Sequence, residues 1–312
     1  MTPLMTAACG GNAATVKLLL ERTDVDLNEA DNEGKTALIY AAMHGHTAAA
    51  SVLANRNDLD INHQDSNGYS ALCWAAQRGH EAVVRALLGV EGVFANDSGH
   101  SPLVEAASSG NEAVVRVLLA HGASVNSKDG WDRMALVMAA GRGYEDIVRL
   151  LLAEKDIAVK EDERVSNALA TAVFSGNEAV VRLLLAQEGV SINDTLENGR
   201  TLLGETAVRG NEVAVRVLLA QEGISVNCKD IGGKTPLHLA AFGRLGKLTR
   251  GEDRLGRLAV LKLLLEREDI DIDSKDNEGR TPLDMANLAL VRHDHHFWDI
   301  HSLFHDYLRG RS

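Results

Sequence analysis

Ser70-Ala71-Leu72-Cys73-Trp74-Ala75-Ala76-Gln77-Arg78-Gly79-His80-Glu81-Ala82-Val83-Val84-Arg85-Ala86-Leu87-Leu88 reads as two short helices set back to back. The Ser70 hydroxyl suits a helix N-cap, where it satisfies a free amide of the first turn. From Ala71 to Gln77, Leu72, Ala75 and Ala76 form one apolar stripe at helical spacing. Gly79 breaks that helix. Val83, Val84, Leu87 and Leu88 then follow at i, i+1, i+4 and i+5, a wide apolar face on a second helix. Upstream, Asp65-Ser66-Asn67-Gly68 is turn chemistry, with short polar side chains that cap their own backbone and a glycine that tolerates positive φ. Neither helix is long enough to stand alone in water. Each must bury its stripe against its partner and against further copies of the same unit.

Those copies are present. The block T/S-x-L-x-x-A-A, a glycine, then V-V-x-x-L-L returns about every 33 residues, with its first residue at Thr2, Thr36, Ser70, Ser101, Met134, Asn167, Thr201, Thr235 and Thr281. The second-helix frame recurs as Val114, Val115, Leu118, Leu119, then as Ile147, Val148, Leu151, Leu152, and again at Val180 and at Ala214. Gly110-Asn111-Glu112, Gly176-Asn177-Glu178 and Gly210-Asn211-Glu212 open that helix, with glycine ending one helix and asparagine expected to cap the next. All 4 prolines stand second in the block, where a helix's first turn accepts them. The expected architecture is all-α, a solenoid in which each unit touches only its neighbours.

Bulk properties narrow the function classes. The formal net charge of −12 argues against broad binding to nucleic acid or an anionic membrane, since both need a positive field. The 3 cysteines, Cys9, Cys73 and Cys228, lie far apart with no C-x-x-C, so a reduced intracellular setting, cytoplasmic or nuclear, is expected. No apolar run reaches the length of a membrane span. No glycine-rich phosphate loop or carboxylate pair stands out. No catalytic residue, metal or cofactor is expected, and the chain is expected to be a monomer.

Asp230-Ile231-Gly232-Gly233-Lys234-Thr235-Pro236-Leu237-His238-Leu239-Ala240-Ala241 carries the full D-x-x-G-x-T-P-L-H-x-A-A signature and resembles the ankyrin repeat family. Asp276 to Leu283 and Asp31 to Leu38 are similar, and Gly122-Ala123-Ser124-Val125-Asn126 matches the family's linker. The resemblance covers nearly the whole chain and implies stacked helix-turn-helix units with β-turn fingers. Met134, Asn167 and Leu196 depart from the signature at the turn, and Gly204 should cost about 1 kcal/mol in mid-helix relative to alanine. Repeats two and five to seven are therefore expected to be the soft part of the stack.

Where the period falters, further expectations arise. The first repeat lacks a preceding turn, which leaves open a recognition segment of a longer multidomain signalling protein. Repeat eight is too long by an insertion at 243–257, a basic loop with Arg244, Lys247, Arg250, Arg254 and Arg257; it is either a tolerated solvated insertion or a docking site for an acidic group. Near the end, 294–309 reads as a capping helix with Phe297, Ile300, Phe304 and Leu308 on one face. It carries His293, His295, His296, His301 and His305; the i, i+4 pair His301 and His305 could share a metal, and the plainer reading is a polar cap.

The resemblance implies a concave face built from turn tips and the exposed end of each first helix. Mapped by position, that row is His44, Arg78, Ser109, Arg142, Ser175 and Arg209, with Met43, Tyr69, Gln77, Trp131, Phe174, Val208 and Phe242 beside it. The tips add Glu33, Asp97, Glu163, Glu197 and Glu278. Arginine with exposed aromatics is the composition of binding hot spots. The expected function is a non-catalytic scaffold whose groove holds a protein segment with spaced acidic groups. The alternative is that a solvated helix end simply tolerates arginine.

Overall fold

A computed structural model describes residues 1–96, 99–155, 157, 163–196, 198–242, 251–291 and 298–310; the side chains at 163–167, 251–254, 289–291, 298–301, 308 and 310 lie outside that description. The chain divides into two compact units, Met1–Ala168 and Leu169–Ser312. The first contains α1 (Pro3–Cys9), α2 (Ala13–Leu20), α3 (Ala37–Met43), α4 (Thr47–Ala54), α5 (Ala71–Arg78), α6 (Glu81–Leu88), α7 (Pro102–Ser109), α8 (Glu112–Ala120), α9 (Ala135–Arg142) and α10 (Glu145–Leu152). The division falls inside α11 (Glu163–Ser175). The second unit continues with α12 (Glu178–Leu185), α13 (Leu202–Arg209), α14 (Glu212–Leu219), α15 (Pro236–Phe242), α16 (Gly251–Leu265), α17 (Pro282–Val291) and α18 (Trp298–Gly310).

The helices start where the caps are. The side chains of Thr2, Thr36, Ser70, Ser101 and Thr201 accept from the amides of Met5, Ile39, Cys73, Val104 and Gly204. Pro3, Pro102, Pro236 and Pro282 each supply the first helical residue. Gly79 ends α5 at φ 74°, and a Cβ there would stand 2.5 Å from Asn111 Oδ1, so both conformation and space call for glycine. Within the first unit α1, α3, α5, α7 and α9 pack in sequence, and α2, α4, α6, α8 and α10 form a second row. Ala41, Ala42, Ala75, Ala76, Ala106, Ala107, Ala139 and Ala140 are buried, and their small side chains let the first row approach closely. The second row buries Val83, Val84 and Leu87, then Val114, Val115 and Leu118, then Ile147, Val148 and Leu151. Its solvent side carries Glu81–Arg85, Glu112–Arg116 and Glu145–Arg149, exposed i,i+4 pairs worth at most about 0.5 kcal/mol each.

Two polar devices recur along the array, one closing turns and one joining successive linkers. In the turns, one aspartate oxygen accepts two backbone amides: Asp65 Oδ1 takes those of Asn67 and Tyr69, and Asp129 Oδ1 those of Trp131 and Arg133. Single antiparallel bridges close these fingers, as between Gln64 and Ser70. In the linkers, asparagines form a ladder. Asn62 donates to Gly92 O at 2.7 Å and accepts from Phe94 N at 3.0 Å, and Asn28, Asn96, Asn193 and Asn227 repeat this two-way bond to the next linker.

Several expectations change. Asn111 does not cap α8 through its side chain; its amide donates instead to Ala76 O and Gln77 O in the last turn of α5, one repeat back. Asn211 does both, accepting from Ala214 N and donating to Phe174 O. Asn167, the repeat-six block start that departs from the signature, lies inside α11, which already begins at Glu163. Glu163 is therefore a helical residue and not a turn tip. Met134 opens α9 without a side-chain cap and is itself buried. Val208, read as a surface position, is buried in α13. The insertion at 243–257 divides: 243–250, with Arg244, Lys247 and Arg250, lies outside the described residues, and Gly251 opens α16, which carries Arg257 as a half-buried helical residue. The final helix α18 packs on α16 and α17 through the buried Phe304. Its His305 is exposed, whereas the side chain of His301 and residues His293, His295, His296 and Phe297 lie outside the description.

Candidate functional site

Helix α5 and the turn before it start the site. Trp74 sits four residues after the Ser70 cap, so its ring leans back over its own turn, and its indole N–H donates to Asp65 Oδ2 at 2.9 Å. Tyr69, from the same turn, lies against that ring with centroids 4.9 Å apart. His100 of the next turn stacks on Tyr69 at 3.6 Å, and Trp131 of the turn after that meets His100 edge-on at 4.1 Å. Trp74 of α5 and three rings from successive turns thus form one ladder, with cations at both ends. Lys35 and Arg78 each lie 5.7 Å from the Trp74 ring, and Arg133 lies 4.5 Å from Trp131.

Beneath the ladder is a buried charge network. Glu105 of α7 is 3% exposed. Its Oε1 accepts from Arg133 at 2.6 Å and from Tyr69 at 3.3 Å, with His100 Nδ1 also at 3.3 Å; its Oε2 accepts from Gln77 at 3.1 Å. The same Arg133 donates to Asp129 Oδ2 at 2.6 Å. Burial, with the Glu105 charge beside it, pushes the Tyr69 phenol up to about 12. Burial acts to lower the Arg133 guanidinium, but its bonds to Asp129 and Glu105 outweigh that and raise it. His100, Glu105 and Asp129 bring potential metal-ligand atoms within 4.8 Å of one another, the arrangement of this kind among the described residues. Arg133 lies between the two carboxylates and supplies the positive charge there, so the donor set as it stands does not fit an ion.

The cationic row lies at the C-terminal ends of the first helices. Arg78 ends α5 and Arg142 ends α9; both are exposed, and neither pairs with a carboxylate among the described residues. Arg142 donates to Ser108 O of the previous repeat. His44 is exposed on α3's C-cap, and burial together with the charges of His46, Arg78 and His80 holds its imidazole below the ordinary range. In the second unit Arg209 takes the same register but is engaged: Nε donates to Glu205 at 2.9 Å, and the guanidinium lies 4.7 Å from the Phe174 ring. Glu205 also accepts from Arg200, which reaches Asp230 at 3.3 Å. Met43, Gln77 and Phe242 are half-buried, and the Arg254 side chain lies outside the description.

The structure therefore brings together Tyr69, Gln77, Arg78 and Trp131 from the expected set, and adds Trp74, His100, Glu105, Asp129 and Arg133. The signal available was the acid: Glu105 and Glu205 stand on the fourth residue after their caps, within otherwise apolar helices.

Repeated helix pairs, aspartate-closed fingers and asparagine-linked turns are the ground on which comparison with known proteins rests. A family model for ankyrin repeats (three copies) matches residues 1–65, 57–129 and 128–195, and one for a single ankyrin repeat matches 232–277. The chain belongs to the ankyrin repeat family. The crystal structure of the human ASB11 ankyrin repeat domain superposes with a TM-score of 0.60 at 24% identity, covering 72% of this chain and 100% of that one, a likeness of fold. A comparison with curated proteins returns no match. Ankyrin repeats generally mediate protein–protein interaction and typically serve as non-enzymatic scaffolds. In this ankyrin array no described helix is long and apolar enough to cross a membrane.

Proposed function

We propose that the chain is a non-catalytic interaction scaffold, intracellular and monomeric, that binds a protein partner on the concave face of its ankyrin array. The observation that carries this reading is the pair Arg78 and Arg142, exposed at equivalent helix ends with no carboxylate partner among the described residues, on a chain of net charge −12. A partner segment with spaced acidic side chains meets both, and Trp131, 59% exposed, offers an apolar anchor beside them. The ring ladder holds Tyr69, Trp74 and Trp131 in place before binding, which lowers the ordering cost of association. In the second unit the equivalent Arg209 is already neutralised by Glu205, so its contribution is smaller. Nucleic acid is disfavoured by the overall charge.

The test is affinity capture with the intact chain against Trp131→Ala/Arg142→Ala/Arg209→Ala. Loss of a partner retained by the wild type supports the groove; equal capture by both refutes it.

A further inference from the structure

One turn tip differs from the others. Gly34, Gly68, Gly199, Gly233 and Gly279 occupy the left-handed position of their turns, at φ 77°, 83°, 71°, 74° and 78°. The equivalent position in the repeat-five turn is Asp132, at φ 61°, the non-glycine residue with positive φ among those described. A side chain there is disfavoured by the contact between Cβ and the backbone, although aspartate tolerates it better than most. Its carboxylate is 83% exposed and meets only the exposed Lys128, at 3.3 Å. Trp131 beside it is 59% exposed, the aromatic ring at the end of the ladder.

The charges around this tip are unbalanced. Arg133 packs on the Trp131 ring, but Glu105 and Asp129 each bind it at 2.6 Å. One guanidinium thus faces two buried carboxylates. Lys128 and Asp132 cancel each other, and the tip carries a net negative charge next to an open indole surface. Aromatic faces attract cations, and a guanidinium also stacks on them.

We propose that the fingertip formed by Trp131 and Asp132 seats a cationic side chain, arginine or lysine, of the bound partner. This rests on the scaffold reading above and adds a partner feature to it: a basic residue at the finger, set apart from the acidic residues facing Arg78 and Arg142. The cation stacks on the indole and pairs with the Asp132 carboxylate, displacing the exposed Lys128. Glu33 and Glu278 lie in equivalent turns, but they pair with Lys35 and Arg280 and have no exposed ring beside them.

The test uses the intact chain and two probes, N-acetyl-arginine amide and N-acetyl-glutamate amide, titrated separately with NMR detection. The arginine probe is expected to shift the Trp131 indole N–H and the residue-132 amide. Its apparent affinity should fall about threefold in Asp132→Asn and by a similar factor in Trp131→Ala, followed at the residue-132 amide. Asp132→Gly should weaken the response by a similar factor without lowering the melting midpoint, since glycine suits the backbone there. An unshifted Trp131, an equal response in Asp132→Asn, or a glutamate probe that moves Trp131 as strongly overturns the proposal, as does a lower melting midpoint for Asp132→Gly. The glutamate probe reports separately on the amides of Arg78 and Arg142. Silence there with an intact arginine response refutes the acidic-partner reading and leaves the fingertip seat standing.

Discussion

Replacing Arg133 by methionine should destabilise the first unit by about 3 kcal/mol. The Arg133 side chain is 27% exposed, and it lies between Glu105 at 3% and Asp129 at 0%. Removing one partner of a buried ion pair costs about 3–5 kcal/mol, because the remaining charge is left uncompensated in a poorly hydrated place. Two factors hold the cost at the lower end. Glu105 keeps its bonds to Tyr69 and Gln77, and Asp129 keeps two backbone amides. Water can also enter where the guanidinium stood. Methionine keeps the unbranched stem but not the guanidinium 4.5 Å from the Trp131 ring, so the loss is mainly that of the charged head.

The assay is guanidinium denaturation followed by far-ultraviolet circular dichroism, arranged as a double-mutant cycle. Glu105→Gln alone should cost about 1–2 kcal/mol, since Arg133 retains Asp129. The double variant should cost less than the sum of the singles by about 1–2 kcal/mol, because the second change removes a charge that the first one stranded. A loss below about 1 kcal/mol for Arg133→Met, or strict additivity in the cycle, refutes the view that a desolvated ion pair ties these repeats together.

Other consequences can be checked more briefly. Asn62→Ala deletes both bonds to the next linker, leaves Gly92 O and Phe94 N to water, and should cost about 1–2 kcal/mol in the same assay, more than an exposed substitution such as Asn55→Ala. His238 is held neutral: burial lowers its imidazole below 6.5, Nδ1 accepts from Thr235 N–H, and Nε2 donates to Arg280 O at 3.0 Å. Its folded value lies below the unfolded one, so its contribution is whole above about pH 6.5 and falls as the pH drops through the folded value; denaturation midpoints at pH 7.5 and 5.5 should differ less in His238→Gln. Native-state hydrogen exchange should show faster amides in α9, which lacks a side-chain cap, and in α13, which contains Gly204, than in α5 and α7; equal protection throughout contradicts it.

What the sequence disclosed divides along physical lines. Helix pairs, caps and turns are local, decided within a few residues by a hydroxyl, a proline or a glycine, and those were readable at Ser70, Pro102 and Gly79. The misreadings fall where a local rule had a longer-range competitor. Asn111 had the right type and place for an N-cap, but its side chain is turned to the last-turn carbonyls of α5, one repeat back. The period set the start of repeat six at Asn167, but α11 already begins at Glu163. Val208 was assigned to the surface by register, yet it is buried in α13.

The network around Glu105 was not readable for a different reason. It joins Tyr69, His100, Asp129 and Arg133 from three successive turns; Tyr69, His100 and Arg133 share one register, directly before their first helices, but differ in residue type. Only the stacking of turns brings them together. The second unit tests this account. Glu205 has the same register as Glu105 and is also buried, but its arginines come from other places: Arg200 from its own turn and Arg209 from its own helix, with Asp230 supplied by the next turn. A buried glutamate at this register therefore does not specify its partner. It requires an arginine within reach, and whichever neighbouring position supplies one determines which other arginines stay available to a ligand. In the first unit Arg133, from the following turn, meets that need, and Arg78 and Arg142 pair with no carboxylate among the described residues. In the second Arg209 is consumed. The difference between a helix-end arginine that holds the fold and one that can hold a partner was set by where the compensating charge arose, 4 residues away or 28.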